Sequence, residues 1–117
     1  MPRDRELPPP LEILCLKALW SIGEGNVEDV RRLVCEEHPR PLAYTTVLTL
    51  LDRLSRRSAV ARRKEGRGFR YQPTVERDKL RALALHELLN QFFDGCPDRL
   101  RTFLDESFIR EAEVQQV

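Results

Sequence analysis

Thr45, Thr46 and Thr49, followed by Arg53, Arg56 and Arg57, are the residues whose types and spacing promise chemistry. If the segment around them is helical, at ~100° per residue, they fall with Asp52 inside an arc of about 140°. A threonine offers a hydroxyl that donates or accepts and a methyl that packs on apolar surface. An arginine offers a planar fork of N–H donors that matches guanine O6/N7 or a phosphate. Together on one helix face, these groups suit the major groove of duplex DNA, which admits an α-helix and displays the sequence on its base edges. Thr45, Thr46, Thr49 and Arg53, in the N-terminal part of that face, are the expected base readers. Tyr44, Val47, Leu48, Leu50, Leu51 and Leu54 occupy the opposite, apolar side. Tyr44, at the helix start, is nonetheless counted with the DNA-facing residues.

Total charge says little about such a partner. The chain has 117 residues, with 20 Lys and Arg against 19 Asp and Glu, a formal charge of +1. The charges are segregated, however. Residues 40–70 hold nine basic side chains and two acidic ones, a local +7, while the segments before and after each sum to −3. A basic block of that density is the electrostatic footprint of a polyanion site. Arg56, Arg57, Arg62, Arg63, Lys64, Arg67 and Arg70 are expected to meet phosphates, with Arg67 reaching toward the minor groove.

The elements that must position these groups follow from caps, breakers and periodicity. Pro8-Pro9-Pro10 opens a first helix at Pro10 or Leu11, with Ile13, Leu14, Leu16, Leu19 and Trp20 apolar and Gly23 and Gly25 ending it. Asn26 caps a second helix, whose buried stripe is Val27, Val30, Leu33 and Val34, before Pro39 and Pro41 break the chain. The third helix starts without an obvious cap near Leu42 or Ala43 and runs to about Arg57. A hairpin follows: Val60 to Glu65, a three-residue turn Gly66-Arg67-Gly68, and Phe69 to Gln72. Thr74 is expected to cap a long helix ending near Asp94, and a last helix starts at about Asp98 and frays over residues 110–117. The fold class is therefore mainly α with a small β-hairpin. Helix, helix, turn, helix, hairpin is the order of a winged helix-turn-helix. The two last helices carry Leu80, Leu83, Ala84, Leu88, Phe92, Leu100, Phe103, Leu104 and Phe108 at helical spacing. Following a complete small domain, such stripes have little to bury against unless a second copy supplies it.

Other chemistries find less support. Two distant histidines, His38 and His86, and no glycine-rich phosphate loop or nucleophile motif argue against an enzyme. Cys35 and His38 have the spacing of two metal ligands, but two do not close a site, and no cofactor is expected. Cys15 belongs to an apolar stripe, and Cys96 beside Gly95 is the thiol with a case for redox or interchain chemistry. Three widely spaced cysteines, no secretory signal and no ~20-residue apolar run point to a cytoplasmic chain with no membrane partner. The alternative to a DNA reader is a winged-helix module for protein contacts, which would not need the +7 block.

Leu11-Glu12-Ile13-Leu14 and Ala18-Leu19-Trp20, the run from Pro41 to Leu54, and Arg63-Lys64-Glu65-Gly66-Arg67 leading to Tyr71-Gln72-Pro73 make the chain resemble a known family. It is the penicillinase and methicillin-resistance repressor family (BlaI/MecI type) of bacterial winged-helix regulators, and the likeness covers roughly residues 8–105. The resemblance implies a winged helix-turn-helix DNA-binding domain over residues 8–73 followed by a helical dimerisation domain over 74–117, in a homodimeric repressor on a palindromic double-stranded operator, controlling antibiotic-resistance or stress genes and answering to an upstream sensor or protease. In the best-known members a protease cuts an Asn-Phe bond; the corresponding stretch here, Thr102-Phe103-Leu104, has no Asn. The copper-responsive branch has paired cysteines near its C-terminus, and no cysteine follows Cys96 here.

Overall fold

Proline at the first helical position leaves no missing hydrogen bond, and α1 spans Pro10–Ile22 from that start. Gly23, at φ 87°, ends it, its N–H donating to Leu19 O. Asn26 and Asp29 then form a reciprocal capping box: Asp29 N donates to Asn26 Oδ1 at 2.8 Å and Asn26 N to Asp29 Oδ2 at 3.0 Å. That box opens α2 at Val27–Glu37. After the proline-containing turn, α3 runs Tyr44–Arg56 from Ala43, with no side-chain cap. Ser58, at φ 62°, stops it and directs the chain into β1. The computed structural model describes residues 6–115, with side chains as far as Ser107 and at Arg110.

β1 (Val60–Glu65) and β2 (Gly68–Pro73) pair antiparallel with Glu65 opposite Gly68, so the loop is the two residues Gly66-Arg67 rather than three. Gly66 takes φ 60° while Arg67 stays at negative φ, as a two-residue hairpin with glycine at its first position requires. A backbone bridge between Gly25 and Tyr71, at 3.0 and 2.8 Å, ties the hairpin to the α1–α2 loop. A Cβ at Gly25 would lie 2.8 Å from Ile22 Cδ1 and 3.1 Å from Asp29 Cβ, so glycine is what lets the ends of α1 and α2 close around this loop. Around this frame α1, α2 and α3 pack on one another, with Leu16, Leu19, Val30, Val34, Val47, Leu51, Leu54 and Tyr71 fully enclosed. Cys15 lies in the same core, where burial and then nearby Glu12 push its thiol pKa up to about 12, leaving it protonated and unreactive.

Two further helices, α4 (Arg77–Phe92) and α5 (Pro97–Gln115), complete the chain. α4 begins three residues after the expected cap because the Thr74 hydroxyl donates to Ser58 O instead. α5 continues through residues 110–115, where fraying was expected; the side chain of Phe108 and residues 116–117 lie outside the described residues. The chain forms two compact units, the first ending at Leu80 and the second starting at Arg81. The first reaches beyond Pro73 because Trp20 Nε1 donates to Val75 O at 2.9 Å and the Arg77 guanidinium lies 5.7 Å from the Trp20 ring centre. Leu80, the last residue of the first unit, is buried in the single chain.

Candidate nucleic-acid interface

The first turns of α3 present Tyr44, Thr45, Thr46, Thr49 and Arg53 to solvent, while Val47, Leu50, Leu51 and Leu54 pack inward. The Thr49 hydroxyl donates back to Thr45 O at 2.9 Å, so toward a ligand it offers lone pairs and a methyl rather than a proton. Tyr44 and Leu48 are uncovered, at 48% and 38% exposure, although both fall on the apolar side of the helical wheel.

Arginines that look equivalent in sequence have different tasks. Arg57 is not at the surface: its side chain is 14% exposed and its Nε lies 3.6 Å from Oε1 of Glu12, itself 2% exposed. The cation is needed inside, opposite a buried carboxylate on α1. Arg63 and Arg70 are directly opposed across the hairpin, a repulsive arrangement for like charges. Glu24, in the α1–α2 loop, resolves it by accepting from Arg70 Nε at 2.8 Å and Arg63 Nη2 at 3.2 Å. Arg70 also lies 3.5 Å from Glu65, so it faces carboxylates and not the open surface expected of a phosphate contact. The Arg70 hydrogen bond is the main reason the Glu24 carboxyl is held below its ordinary pKa. The tether is therefore complete at neutral pH and is lost only as pH falls through that depressed value. On the other face of the hairpin, Arg62 lies 4.3 Å from the Phe69 ring centre and 3.7 Å from Asp52, whose carboxylate also forms an ion pair with Arg56 at 3.1 Å. Among the described residues, the basic side chains of the block left with no carboxylate within 4.0 Å are Arg40, Arg53, Lys64 and Arg67. They lie before α3, on its exposed face and at the hairpin tip.

Sequence reasoning missed Glu12, Glu24 and Asp52. The one signal available for Glu12 was an acidic residue inside the apolar pattern of the first helix. Arg57→Met is expected to lower the unfolding free energy by about 3 kcal/mol, because it strands Glu12, and Glu12→Leu in the same chain to recover most of the loss. Denaturant unfolding of the two variants measures this; an unaltered midpoint for Arg57→Met would return Arg57 to the surface set.

Cys35 and His38 both contact the backbone of the turn before α3. Leu42 N donates to Cys35 Sγ at 3.4 Å, His38 Nδ1 lies 2.7 Å from Arg40 O, and no group of three potential metal ligands occurs among the described residues. In the second unit Phe93 packs against Phe103 with ring centres 5.5 Å apart and planes tilted by 58°, Leu89 is buried, and Leu83, Cys96 and Leu100 are half-buried. Ala84, Leu85, Leu88, Phe92, Phe103 and Leu104 remain exposed in the single chain.

A model of the penicillinase repressor family matches residues 9–117. The chain belongs to the penicillinase repressor family. The penicillinase repressor of Bacillus licheniformis is 24% identical over 107 residues, covering 91% of this chain and 82% of that protein. The transcriptional regulator BlaI of Mycobacterium tuberculosis is 36% identical over 86 residues, covering 73% of this chain but 61% of the relative's length. The Bacillus licheniformis BlaI monomeric form, solved in complex with the blaP half-operator, superposes with a TM-score of 0.52 at 24% identity over 68% of this chain and 93% of that one. The winged-helix fold of this penicillinase repressor family member is thereby matched. No helix among its described residues is long and apolar enough to cross a membrane.

Proposed function

We propose that this DNA-binding transcriptional repressor acts as a homodimer on an inverted-repeat operator, in the cytoplasm, without a cofactor or catalytic step, and controls antibiotic-resistance or stress genes. One observation carries the reading: the exposed Thr45, Thr46, Thr49 and Arg53 ridge of α3, flanked by Arg40, Lys64 and Arg67, cations with no carboxylate within 4.0 Å among the described residues. The ridge has the donors, acceptors and methyls that base edges require, and the flanking charges have only phosphate to neutralise them. Dimerisation is supported by the apolar residues that α4 and α5 leave uncovered, Leu88, Phe92, Phe103 and Leu104 among them.

Selection of duplexes from a random pool, followed by footprinting, tests the proposal. The expected product is an inverted repeat with half-site centres about one helical turn, or a multiple of it, apart. Protection of a single unpaired half-site at saturating protein would refute the dimeric reading. On the selected duplex, Thr46→Ala and Arg53→Ala are expected to change which bases are preferred, whereas Arg67→Ala weakens matched and mismatched duplexes about equally. Binding to matched and mismatched duplexes, measured by titration, separates the two classes.

A further inference from the structure

Leu48 departs from the other leucines of its helix. Leu50, Leu51 and Leu54 are buried against α1 and α2, but Leu48 stands 38% exposed on the second turn of α3. Its neighbours along the helix surface are Tyr44 one turn before, also uncovered, Thr45 at i−3 and Asp52 one turn on. The Asp52 carboxylate is already engaged by Arg56 at 3.1 Å and Arg62 at 3.7 Å, which tempers the repulsion between this edge of the helix and a polyanion. Single exposed leucines are common and usually idle. This one lies among the hydroxyls of the helix that the function above places in the major groove, within the +7 block of residues 40–70. A leucine side chain can neither hydrogen-bond a base edge nor neutralise a phosphate. The major-groove feature it does complement is the C5-methyl group of thymine.

We propose that Leu48 is a specificity-determining residue that reads a thymine through its 5-methyl group, with Tyr44 extending the same apolar edge. The inference rests on the reading of α3 as the base-reading helix and adds the identity of one base to it. Cytosine at that position presents no methyl and puts an amino donor in place of the thymine O4 acceptor. Leu48 therefore excludes it by leaving the contact empty and that donor unpaired.

The test uses the full chain and the duplex it selects from a random pool. Each thymine of one half-site is replaced in turn by deoxyuridine, which removes the methyl and leaves the base pairing intact. One replacement is expected to weaken the wild type about 3- to 5-fold, the effect of losing one buried methyl. The same replacement is expected to leave Leu48→Ala and Leu48→Gln unaffected, and reselection with either variant should lose the preference for thymine over cytosine there. Circular dichroism of both variants confirms that α3 is retained. Variants as sensitive to every deoxyuridine as the wild type would overturn the role of Leu48 and leave the repressor reading standing. A wild type that selects no sequence at all would overturn both.

Discussion

Raising the salt concentration from about 50 to about 200 mM is expected to weaken operator binding about 1,000- to 100,000-fold. The magnitude follows from the cations left free by the fold. Arg40, Arg53, Lys64 and Arg67 have no carboxylate partner among the described residues, which gives about eight counterion-releasing contacts for the proposed dimer. Counting all nine basic residues of the block in both copies would demand a far steeper dependence. The difference is measurable, since each phosphate contact adds about 0.9 to the slope of log affinity against log salt. A titration series should therefore give a slope near −7, and Arg67→Ala should reduce it by about 2, one contact in each copy. Arg57 neutralises Glu12 inside the protein, so substituting it should change stability and leave the slope alone. A slope near −14, about eight contacts in each copy, would mean that Glu24 and Asp52 give up their arginines to the DNA. An affinity flat across this range would remove the electrostatic argument altogether.

The local features of the fold were legible in the sequence because they depend on neighbours in the chain. The Asn26 cap, the glycine that ends α1 and the glycine-containing turn between β1 and β2 are settled within a few residues. What was not legible depends on residues far apart. Glu24 and its partners Arg63 and Arg70 are separated by 39 and 46 positions, and nothing in a run of arginines says which of them a distant carboxylate will claim. Thr74 has the side chain of a helix cap, yet the end of α3 brings the Ser58 carbonyl within its reach first. Leu48 shows the limit of a helical wheel. The wheel assigns it to the margin of the apolar stripe, and only the neighbouring elements decide whether a marginal position is covered. Leu80 goes the other way: its stripe groups it with exposed residues such as Leu88, yet it is buried in the single chain.

Replacing Phe92 by aspartate is expected to dissociate the proposed dimer and with it the high-affinity complex. Phe92 is 71% exposed in the single chain, near the end of α4 and on the same helix as the exposed Leu85 and Leu88. Its own chain therefore gains little from it, and the variant should melt near the wild-type temperature. In a two-fold symmetric interface every substitution acts twice. Fully burying a phenylalanine stabilises by about 1.5–3 kcal/mol, so losing two removes about 3–6 kcal/mol from dimerisation before the burial of two carboxylates is counted. Sedimentation at micromolar concentration should show a dimer for the wild type and a monomer for Phe92→Asp. Without the partner, one head holds one half-site, and the advantage of tethering the second head, typically 100- to 10,000-fold, disappears. Affinity of the variant for the inverted repeat should thus fall to that for an isolated half-site, while the contacts of Thr46 and Arg53 within that half-site persist. A variant that still sediments as a dimer would place the interface elsewhere. A wild type that is monomeric at tens of micromolar would mean that the uncovered face of α4 and α5 serves a different partner.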